Sequence, residues 1–283
     1  MKIQSVKYSD REFEYYFSNC QQEVSQQASS LPPVVFIHGI LSSGQLFTHH
    51  MMPYFDSLGL TTYSLTLRGH GSHSVKPSSR PFDDHIDDVA TFIEFVYQQE
   101  KKPVVVAGYS LGGLITQHVC LREEIKPKLA GMVLMASVPP QGFSQLNQAM
   151  WLDNPVLSLV LGQVMVMPNM ALLNPYYRNV LIDALFACKP NEQQLGMLLS
   201  ELKAEDLRLF LEPHPIDDRL SLSVPVTVVG AQEDKLVPAS QVEATAVFYG
   251  VEPVFFSPMG HAMPVEKEVA KLAAYLAGWC SSL

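Results

Sequence analysis

Cysteine is scarce in this sequence, and Cys20, Cys120, Cys188 and Cys280 lie far apart in a chain of 283 residues. Their separations match neither the close pairs of a structural zinc site nor the dense pattern of a small disulfide-linked domain. We therefore expect free thiols, a reducing compartment and a cytoplasmic location. The first eight residues lack the apolar segment of a secretory signal, which leads to the same expectation.

Lysine and arginine are also few. The 19 basic residues stand against 28 acidic ones, which gives a formal net charge of −9. They form no cluster or stripe of the kind that binds a nucleic-acid backbone, so we expect no nucleic-acid partner. The acidic balance argues equally against docking to anionic lipids.

A hydrophobic run long enough to cross a membrane is missing. The nearest candidate, 156–173, is rich in Leu, Val and Met, but Gly162, Gln163, Pro168 and Asn169 interrupt it. No positively charged flank accompanies it. We expect no transmembrane segment.

Short apolar runs that alternate with helical segments organise the chain. A hairpin is predicted around Ser9-Asp10, and most later runs are continuous rather than alternating, as in strands that are covered on both faces. The predicted strands are 34–37, 61–67, 104–107, 132–136, 226–229 and 254–256, and the predicted helices include 83–100, 111–123 and 265–279. This alternation predicts an α/β fold with a mainly parallel central sheet flanked by helices.

One interval breaks the alternation. Between Pro140 and about Asp218 no convincing β run occurs, and nearly eighty residues is too long for a loop. We expect a helical cap insertion at 139–218, above the sheet edge where ligands bind in open α/β sheets. Residues 1–138 and 219–283 would then form the core domain.

The segment 104–113, VVVAGYSLGG, is the most informative part of the sequence. It combines a buried type of strand, Gly-x-Ser-x-Gly and the start of a helix. A sharp strand-to-helix turn needs small residues beside the serine because neighbouring chains approach closely, and Gly108, Gly112 and Gly113 supply them. The pentapeptide also occurs by chance, so its context carries the prediction that Ser110 is a nucleophile.

A serine hydroxyl needs a base to remove its proton, and the base needs a carboxylate to orient it. His261 lies in a Gly- and Pro-flanked loop directly after the last predicted strand, so we expect it at the same sheet edge as Ser110. Asp234 follows the strand 226–229 and is the expected carboxylate. Glu233 is its competitor.

An oxyanion hole is the remaining requirement of this chemistry. Residues 38–41 follow the strand 34–37, which brings their backbone amides to the same edge. We expect the N–H groups of Ile40 and Leu111 to be the two donors. His38 itself is expected to brace this loop.

These residues together resemble the α/β-hydrolase family over essentially the whole chain. The order Ser110, Asp234, His261 matches the nucleophile–acid–base order of that family. The motifs that carry the resemblance are His38-Gly39, Gly108-x-Ser110-x-Gly112 and Gly260-His261. The resemblance implies a serine-type enzyme with no cofactor and no metal. Dehalogenases and epoxide hydrolases of similar fold have Asp where this chain has Ser110.

The segment 68–71, Arg-Gly-His-Gly, looks like a further signature of the family. The sequence departs from the usual pattern nearby, since Thr66 stands where Asp is common and His73 where Ser is common. Because this loop is usually structural, the resemblance implies that His70 and His73 belong to the scaffold.

The expected function is cleavage of a small-molecule acyl ester by a carboxylesterase-, lipase- or lysophospholipase-like serine hydrolase. Acyltransferase, thioesterase or perhydrolase activity on the same triad remains an alternative, as does a ligand sensor without catalysis. The apolar residues concentrated between 151 and 173 favour an apolar acyl group if they line its pocket. They fit equally well as the core that a small helical cap needs for itself.

Overall fold

A mainly parallel sheet forms the centre of the computed structural model, which describes residues 3–19, 31–72, 78, 80–200, 202–210, 212–217 and 222–283. Its strands are β1 (Ile3–Tyr8), β2 (Arg11–Ser18), β3 (Val34–Ile37), β4 (Thr62–Thr66), β5 (Val104–Tyr109), β6 (Leu129–Met135), β7 (Val226–Ala231) and β8 (Val254–Phe256). Their spatial order is β1-β2-β4-β3-β5-β6-β7-β8. The pairs from β4 to β8 are parallel, whereas β1 and β2 form an antiparallel hairpin at one edge. The predicted α/β class with a mainly parallel sheet is confirmed.

Helices cover both faces of the sheet. They are α1 (Met51–Ser57), α2 (Pro81–Glu100), α3 (Leu111–Cys120), α4 (Phe143–Asp153), α5 (Pro155–Val166), α6 (Pro168–Ala171), α7 (Pro175–Leu185), α8 (Glu192–Leu199), α9 (Ala239–Tyr249) and α10 (Val269–Ser281). Helices α1 and α10 contribute to the core on one face, and α2, α3 and α9 to the core on the other.

Strand β5 shows why the apolar runs are continuous. Val105 and Ala107 pack into one core, while Val104 and Val106 pack into the other. Side chains alternate across a strand, so a strand that is buried on both faces needs an apolar residue at every position.

Two predicted helices start at a different residue from the observed ones, and two end at a different residue: the helix predicted for 111–123 ends at Cys120, and the one predicted for 265–279 ends at Ser281. Helix α2 begins at Pro81 rather than at residue 83, since proline suits the first turn, where its missing N–H has no helical partner. Helix α10 begins at Val269 rather than at residue 265, because 263–265 forms a separate short 3₁₀ turn.

Helices α4 to α8 lie between β6 and β7, and the described residues of 139–217 contain no strand. Asn154, Asn174 and Asn191 cap the first turns of α5, α7 and α8 through their side chains. The run 156–173 is divided at Met167 between α5 and α6. The division into a core and a cap at 138/139 and 218/219 stays a prediction.

Within the described segments, no helix combines the length and the apolar character that crossing a bilayer requires.

The point where the strand order reverses lies between β3 and β5. The chain passes from β3 outward to β4 and then returns to place β5 on the opposite side of β3. The connections that leave β3 and β5 therefore diverge to opposite faces and open a crevice at the carboxyl ends of these strands. Ile40 and Ser110 follow these two strands, so the topology places both at this crevice.

We predict that Gly108→Ala destabilises the protein, because the added Cβ would lie 2.4 Å from the Gly112 carbonyl oxygen and 2.4 Å from Thr116 Oγ1. Overpacking of this kind costs about 1–3 kcal/mol of unfolding free energy, measurable by urea denaturation. Gly278→Ala in α10 is the matched control, since nothing lies within 4 Å of its added Cβ. It should gain about 0.5–1 kcal/mol from helix propensity. Equal stability of the two variants would contradict the prediction.

Candidate active site

Ser110 sits in the turn between β5 and α3 with a backbone conformation of φ 55° and ψ −121°. A non-glycine residue in such a sparsely populated region costs on the order of 1–3 kcal/mol and needs support from its surroundings. The support comes from three backbone hydrogen bonds. The Ser110 N–H donates to Met135 O (3.0 Å), and the Ser110 carbonyl accepts from Gly113 N (3.0 Å) and Val138 N (3.1 Å). The turn is thus tied to the end of β6.

Gly112, two residues after Ser110, explains how close this turn comes to β3. A Cβ at Gly112 would lie 2.4 Å from the carbonyl oxygens of both Ile37 and His38. Only a residue without a side chain lets α3 start against the end of β3. The turn at Ser110 between β5 and α3, from here on called the elbow, is therefore in direct backbone contact with the 38–41 loop.

The structure brings Ser110, His261 and Asp234 together from the ends of three different strands. His261 Nε2 lies 3.1 Å from Ser110 Oγ, and His261 Nδ1 lies 2.7 Å from Asp234 Oδ2. The imidazole and the carboxylate are almost completely buried. With the Nδ1 proton directed at the carboxylate, Nε2 is free to accept the serine proton.

Asp234 is itself held by the turn that follows β7. Its Oδ1 accepts hydrogen bonds from the backbone N–H groups of Leu236 (2.8 Å) and Val237 (2.9 Å). One carboxylate oxygen is therefore fixed by the backbone, which leaves Oδ2 aimed at the imidazole.

Glu233, the competing acid, points elsewhere. Its carboxylate accepts from Ser257 Oγ (2.7 Å) and from the backbone N–H of Met259 (2.8 Å). It braces the loop that leads to His261 and makes no hydrogen bond with the imidazole. The geometry thus separates the two candidates.

Two further side chains, which the sequence did not single out, fix the loop of His261. Tyr109 OH donates to the His261 carbonyl oxygen (2.7 Å), and Glu266 Oε1 accepts from Gly260 N (3.0 Å) and Ala187 N (2.7 Å). Burial, with the nearby charges of Asp234 and Glu266, raises the pKa of Tyr109 well above its usual value. The phenol is therefore a neutral hydrogen-bond donor. Neither residue has a local motif, although Tyr109 lies inside Gly-x-Ser-x-Gly.

His38 braces the loop after β3. Its Nδ1 is 2.7 Å from the Gly39 carbonyl oxygen, and its Nε2 is 3.0 Å from the Leu67 backbone nitrogen. Burial and the nearby His70 lower the pKa of His38 well below its usual value, so the ring is neutral. The neutral tautomer with a proton on Nδ1 satisfies both contacts, since Nε2 then accepts from Leu67 N–H.

A cavity of about 290 Å³ opens at Ser110 and His261. Ile40 and Leu111, the expected oxyanion donors, also line it. Helices α4 and α5 supply most of the far wall, through the apolar side chains Leu146, Met150, Trp151, Leu161 and Met165. The described part of 143–166 thus lines an apolar space next to the Ser110 hydroxyl.

Comparison with known proteins agrees with this architecture. The model of the alpha/beta hydrolase family matches residues 34–274. The chain belongs to the α/β-hydrolase family. A thermophilic esterase from Thermogutta terrifontis, solved with malate bound, superposes with a TM-score of 0.69 at 17% identity, over 99% of this chain and 98% of that chain. Identity at this level shows the shared fold.

Curated relatives match shorter stretches of this α/β hydrolase. Ethanol acetyltransferase 1 of Kluyveromyces lactis is 29% identical over 90 residues, which are 32% of this chain and 23% of the relative. Protein phosphatase methylesterase 1 of Pongo abelii is 25% identical over 125 residues, which are 44% of this chain and 32% of the relative. The matched stretches thus make up no more than about a third of either relative.

A buried group of polar side chains lies behind the 38–41 loop of this α/β hydrolase. His70 Nε2 lies 3.0 Å from Glu205 Oε1, the same oxygen that accepts the backbone N–H of Leu41. The His70 ring is 5.1 Å from that of His38 and 6.3 Å from that of His85. The described residues hold no group of three His, Cys, Asp or Glu that could hold a metal ion. His73 lies outside the described residues.

Burial and charge set the protonation states of this group. Burial lowers the pKa of His70, but the Glu205 carboxylate outweighs that effect and the net pKa is raised. Burial raises the pKa of Glu205, but His70 and the Leu41 N–H leave it below its usual value. Burial and repulsion from His70 lower the pKa of His85 to about 4. The group therefore holds one ion pair, His70 with Glu205, beside neutral imidazoles.

We predict that His70 titrates above its usual range in the wild type and below it in Glu205→Gln, as measured by NMR of the imidazole. The reason is that burial lowers this pKa and the Glu205 carboxylate is the largest influence that raises it, ahead of the backbone contacts with Arg68 and Leu67. Because the folded-state pKa of His70 is raised, its contribution to stability is complete below about pH 6.5 and is lost as the pH rises through the folded-state pKa. An unchanged His70 titration in Glu205→Gln would refute the assignment.

Proposed function

We propose that this α/β hydrolase is a serine hydrolase that cleaves an acyl ester, with Ser110, His261 and Asp234 as its catalytic triad. The observation that carries the proposal is the chain of contacts from Asp234 Oδ2 through the imidazole to Ser110 Oγ, at 2.7 and 3.1 Å. A buried imidazole held between a carboxylate and a hydroxyl is the arrangement that activates a serine.

In the proposed reaction, Ser110 Oγ attacks the acyl carbonyl while His261 Nε2 takes its proton. Asp234 stabilises the imidazolium that forms. His261 then gives the proton to the leaving alcohol, and the acyl group stays on Ser110. A water molecule activated by His261 releases the acid and restores the serine.

The N–H groups of Ile40 and Leu111 are the proposed donors to the oxyanion. Leu111 begins α3, where the helix dipole favours negative charge. Loss of one such donor typically costs about 3–4 kcal/mol of transition-state stabilisation. Because the donors are backbone groups, their effect depends on the shape of the 38–41 loop and of the elbow.

The proposed substrate is a small molecule with an apolar acyl group, and helices α4 to α8 are the proposed cap over it. The cavity wall formed by Leu146, Met150, Leu161 and Met165 supports this choice, because an apolar wall gives no partner to a charged acyl group. A volume of about 290 Å³ is at the low end for ligand sites, which favours a compact ester.

A cytoplasmic location remains part of the proposal. Cys120 and Cys280 are buried and Cys188 is exposed, and all three are free thiols. Free thiols persist in reducing compartments.

Acyl transfer to an alcohol is a second candidate, favoured by the similarity to ethanol acetyltransferase 1 of Kluyveromyces lactis. It would use the same acyl-enzyme, with an alcohol in place of water in the second step. Ethyl ester among the products, when ethanol is added to the assay, would favour this candidate.

We predict that a fluorophosphonate labels the wild type and leaves Ser110→Ala unlabelled. The activity of Ser110→Ala on short p-nitrophenyl esters should fall by about 10⁶ in kcat, because the triad acts as a unit. Ser137→Ala is the control. Ser137 is also buried, at the end of β6, but its hydroxyl donates to the Val138 carbonyl, so labelling should persist. Labelling of Ser110→Ala at the wild-type rate would disprove the proposed nucleophile.

We predict that Asp234→Asn lowers kcat by about 10⁴, whereas Glu233→Gln lowers it by less than about tenfold. The oxygen of asparagine can still accept hydrogen bonds from the Leu236 and Val237 N–H groups. Its NH₂ group then faces His261 Nδ1, where it cannot accept a hydrogen bond, and so it disfavours the required tautomer of His261. Steady-state kinetics on the same ester measures both. The opposite ranking of the two variants would assign Glu233 as the acid.

A further inference from the structure

Glu205 connects three parts of the protein that are distant in sequence. Its backbone N–H donates to the Met165 carbonyl oxygen in α5 (2.8 Å), and Met165 lines the cavity. Its side-chain Oε1 accepts from the Leu41 N–H and from His70 Nε2. The carboxylate is completely buried, so it acts on these partners without competition from solvent.

The Leu41 contact matters because of the backbone conformation there. Leu41 has a positive φ of 59°, in the left-handed region that a residue with a Cβ seldom adopts. The 38–41 loop therefore needs an outside contact to keep its shape, and the Leu41 N–H to Glu205 hydrogen bond is such a contact. Ile40, whose N–H is a proposed oxyanion donor, immediately precedes Leu41.

The same loop lies directly against Ser110. A Cβ added to Gly39 would be 2.8 Å from Ser110 Cβ and 3.4 Å from Ser110 Oγ. With so little clearance, a change in the loop alters the distance between its N–H groups and the reacting carbonyl. Catalytic donors lose much of their effect when displaced by a fraction of an ångström.

His70 is the second donor to Glu205 Oε1. Its two ring nitrogens face two acceptors, the Arg68 carbonyl oxygen at 3.2 Å and Glu205 Oε1 at 3.0 Å. Both nitrogens must carry a proton to satisfy both contacts, so the geometry itself requires an imidazolium. The 68–71 motif takes no direct part in the proposed chemistry, but through His70 it holds the Glu205 side chain.

We propose that Glu205 is a positioning residue for acyl transfer at Ser110. Together with His70, it holds the 38–41 loop so that the Ile40 N–H faces the developing oxyanion, and it links that loop to the α5 wall of the cavity. This inference rests on the proposed function.

Two substitutions test the length and the charge of the Glu205 side chain separately. Glu205→Gln keeps the length of the side chain and an acceptor oxygen for Leu41 N–H, but removes the charge. Glu205→Asp keeps the charge but is one methylene shorter, so it withdraws from Leu41. We expect kcat per active site, titrated with a fluorophosphonate, to fall by about 10- to 100-fold in Glu205→Asp and by less than about fivefold in Glu205→Gln. KM should change by less than about twofold in both, because the loss occurs in the transition state.

Glu14→Asp is the matched control. Glu14 is a similarly buried glutamate that accepts hydrogen bonds from Ser72, two residues after His70. It makes no hydrogen bond to the 38–41 loop. Its kcat per titrated site should stay within about twofold of wild type, since no oxyanion donor is disturbed.

Normalisation to titrated sites separates positioning from folding, because a purely structural defect reduces the number of sites and leaves kcat per site unchanged. The inference is overturned if Glu205→Asp keeps the wild-type value, if Glu205→Gln falls as far as Glu205→Asp, or if Glu14→Asp falls equally. A wild type that neither labels nor turns over ester would instead overturn the proposed function. Wild-type turnover with an unaffected Glu205→Asp overturns this inference alone.

Discussion

The position of the His261 ring between two oxygens is the constraint on which the rest of the site depends. An imidazole can serve as a base toward Ser110 only if its other nitrogen is held, and the Asp234 contact of 2.7 Å holds it. Asp234 is fixed in turn by the Leu236 and Val237 amides, while Tyr109 fixes the His261 backbone. Each contact restricts a movement that would take the His261 ring out of hydrogen-bond distance of the Ser110 hydroxyl.

The described residues include two buried carboxylate–imidazole pairs. Asp234 with His261 faces the hydroxyl, whereas Glu205 with His70 lies behind the 38–41 loop. Burying a charge is costly unless a partner and hydrogen bonds compensate for it, and a backbone N–H group adds to the compensation at each carboxylate. At Glu205 the compensation is partial, because Oε2 is buried without a hydrogen-bond partner among the described residues. In the proposed reaction, the first pair takes the proton from Ser110, and the second pair maintains the shape of the 38–41 loop.

Much of the fold and the core of the candidate site could be predicted from local sequence. Strands buried on both faces need apolar residues at every position, so β3 and β5 appear as unbroken runs. The elbow at Ser110 needs glycine where backbones touch, and Gly112 meets that need against Ile37 and His38. Because the carboxyl ends of parallel strands meet at one edge of the sheet, the sequence also predicts that the loops carrying these residues lie close together.

What the sequence by itself determined was the α/β sheet, the strand ends and the residues that local backbone geometry requires there. Only the tertiary structure distinguishes the contacts of Asp234 and Glu233, which are adjacent in sequence but point to different partners, His261 and Met259. It also revealed Glu205 and Glu266, whose roles come from contacts with Leu41 and Gly260. The physical reason is that a buried carboxylate needs only donors within reach, and donors brought together by folding leave no periodicity or motif in the chain.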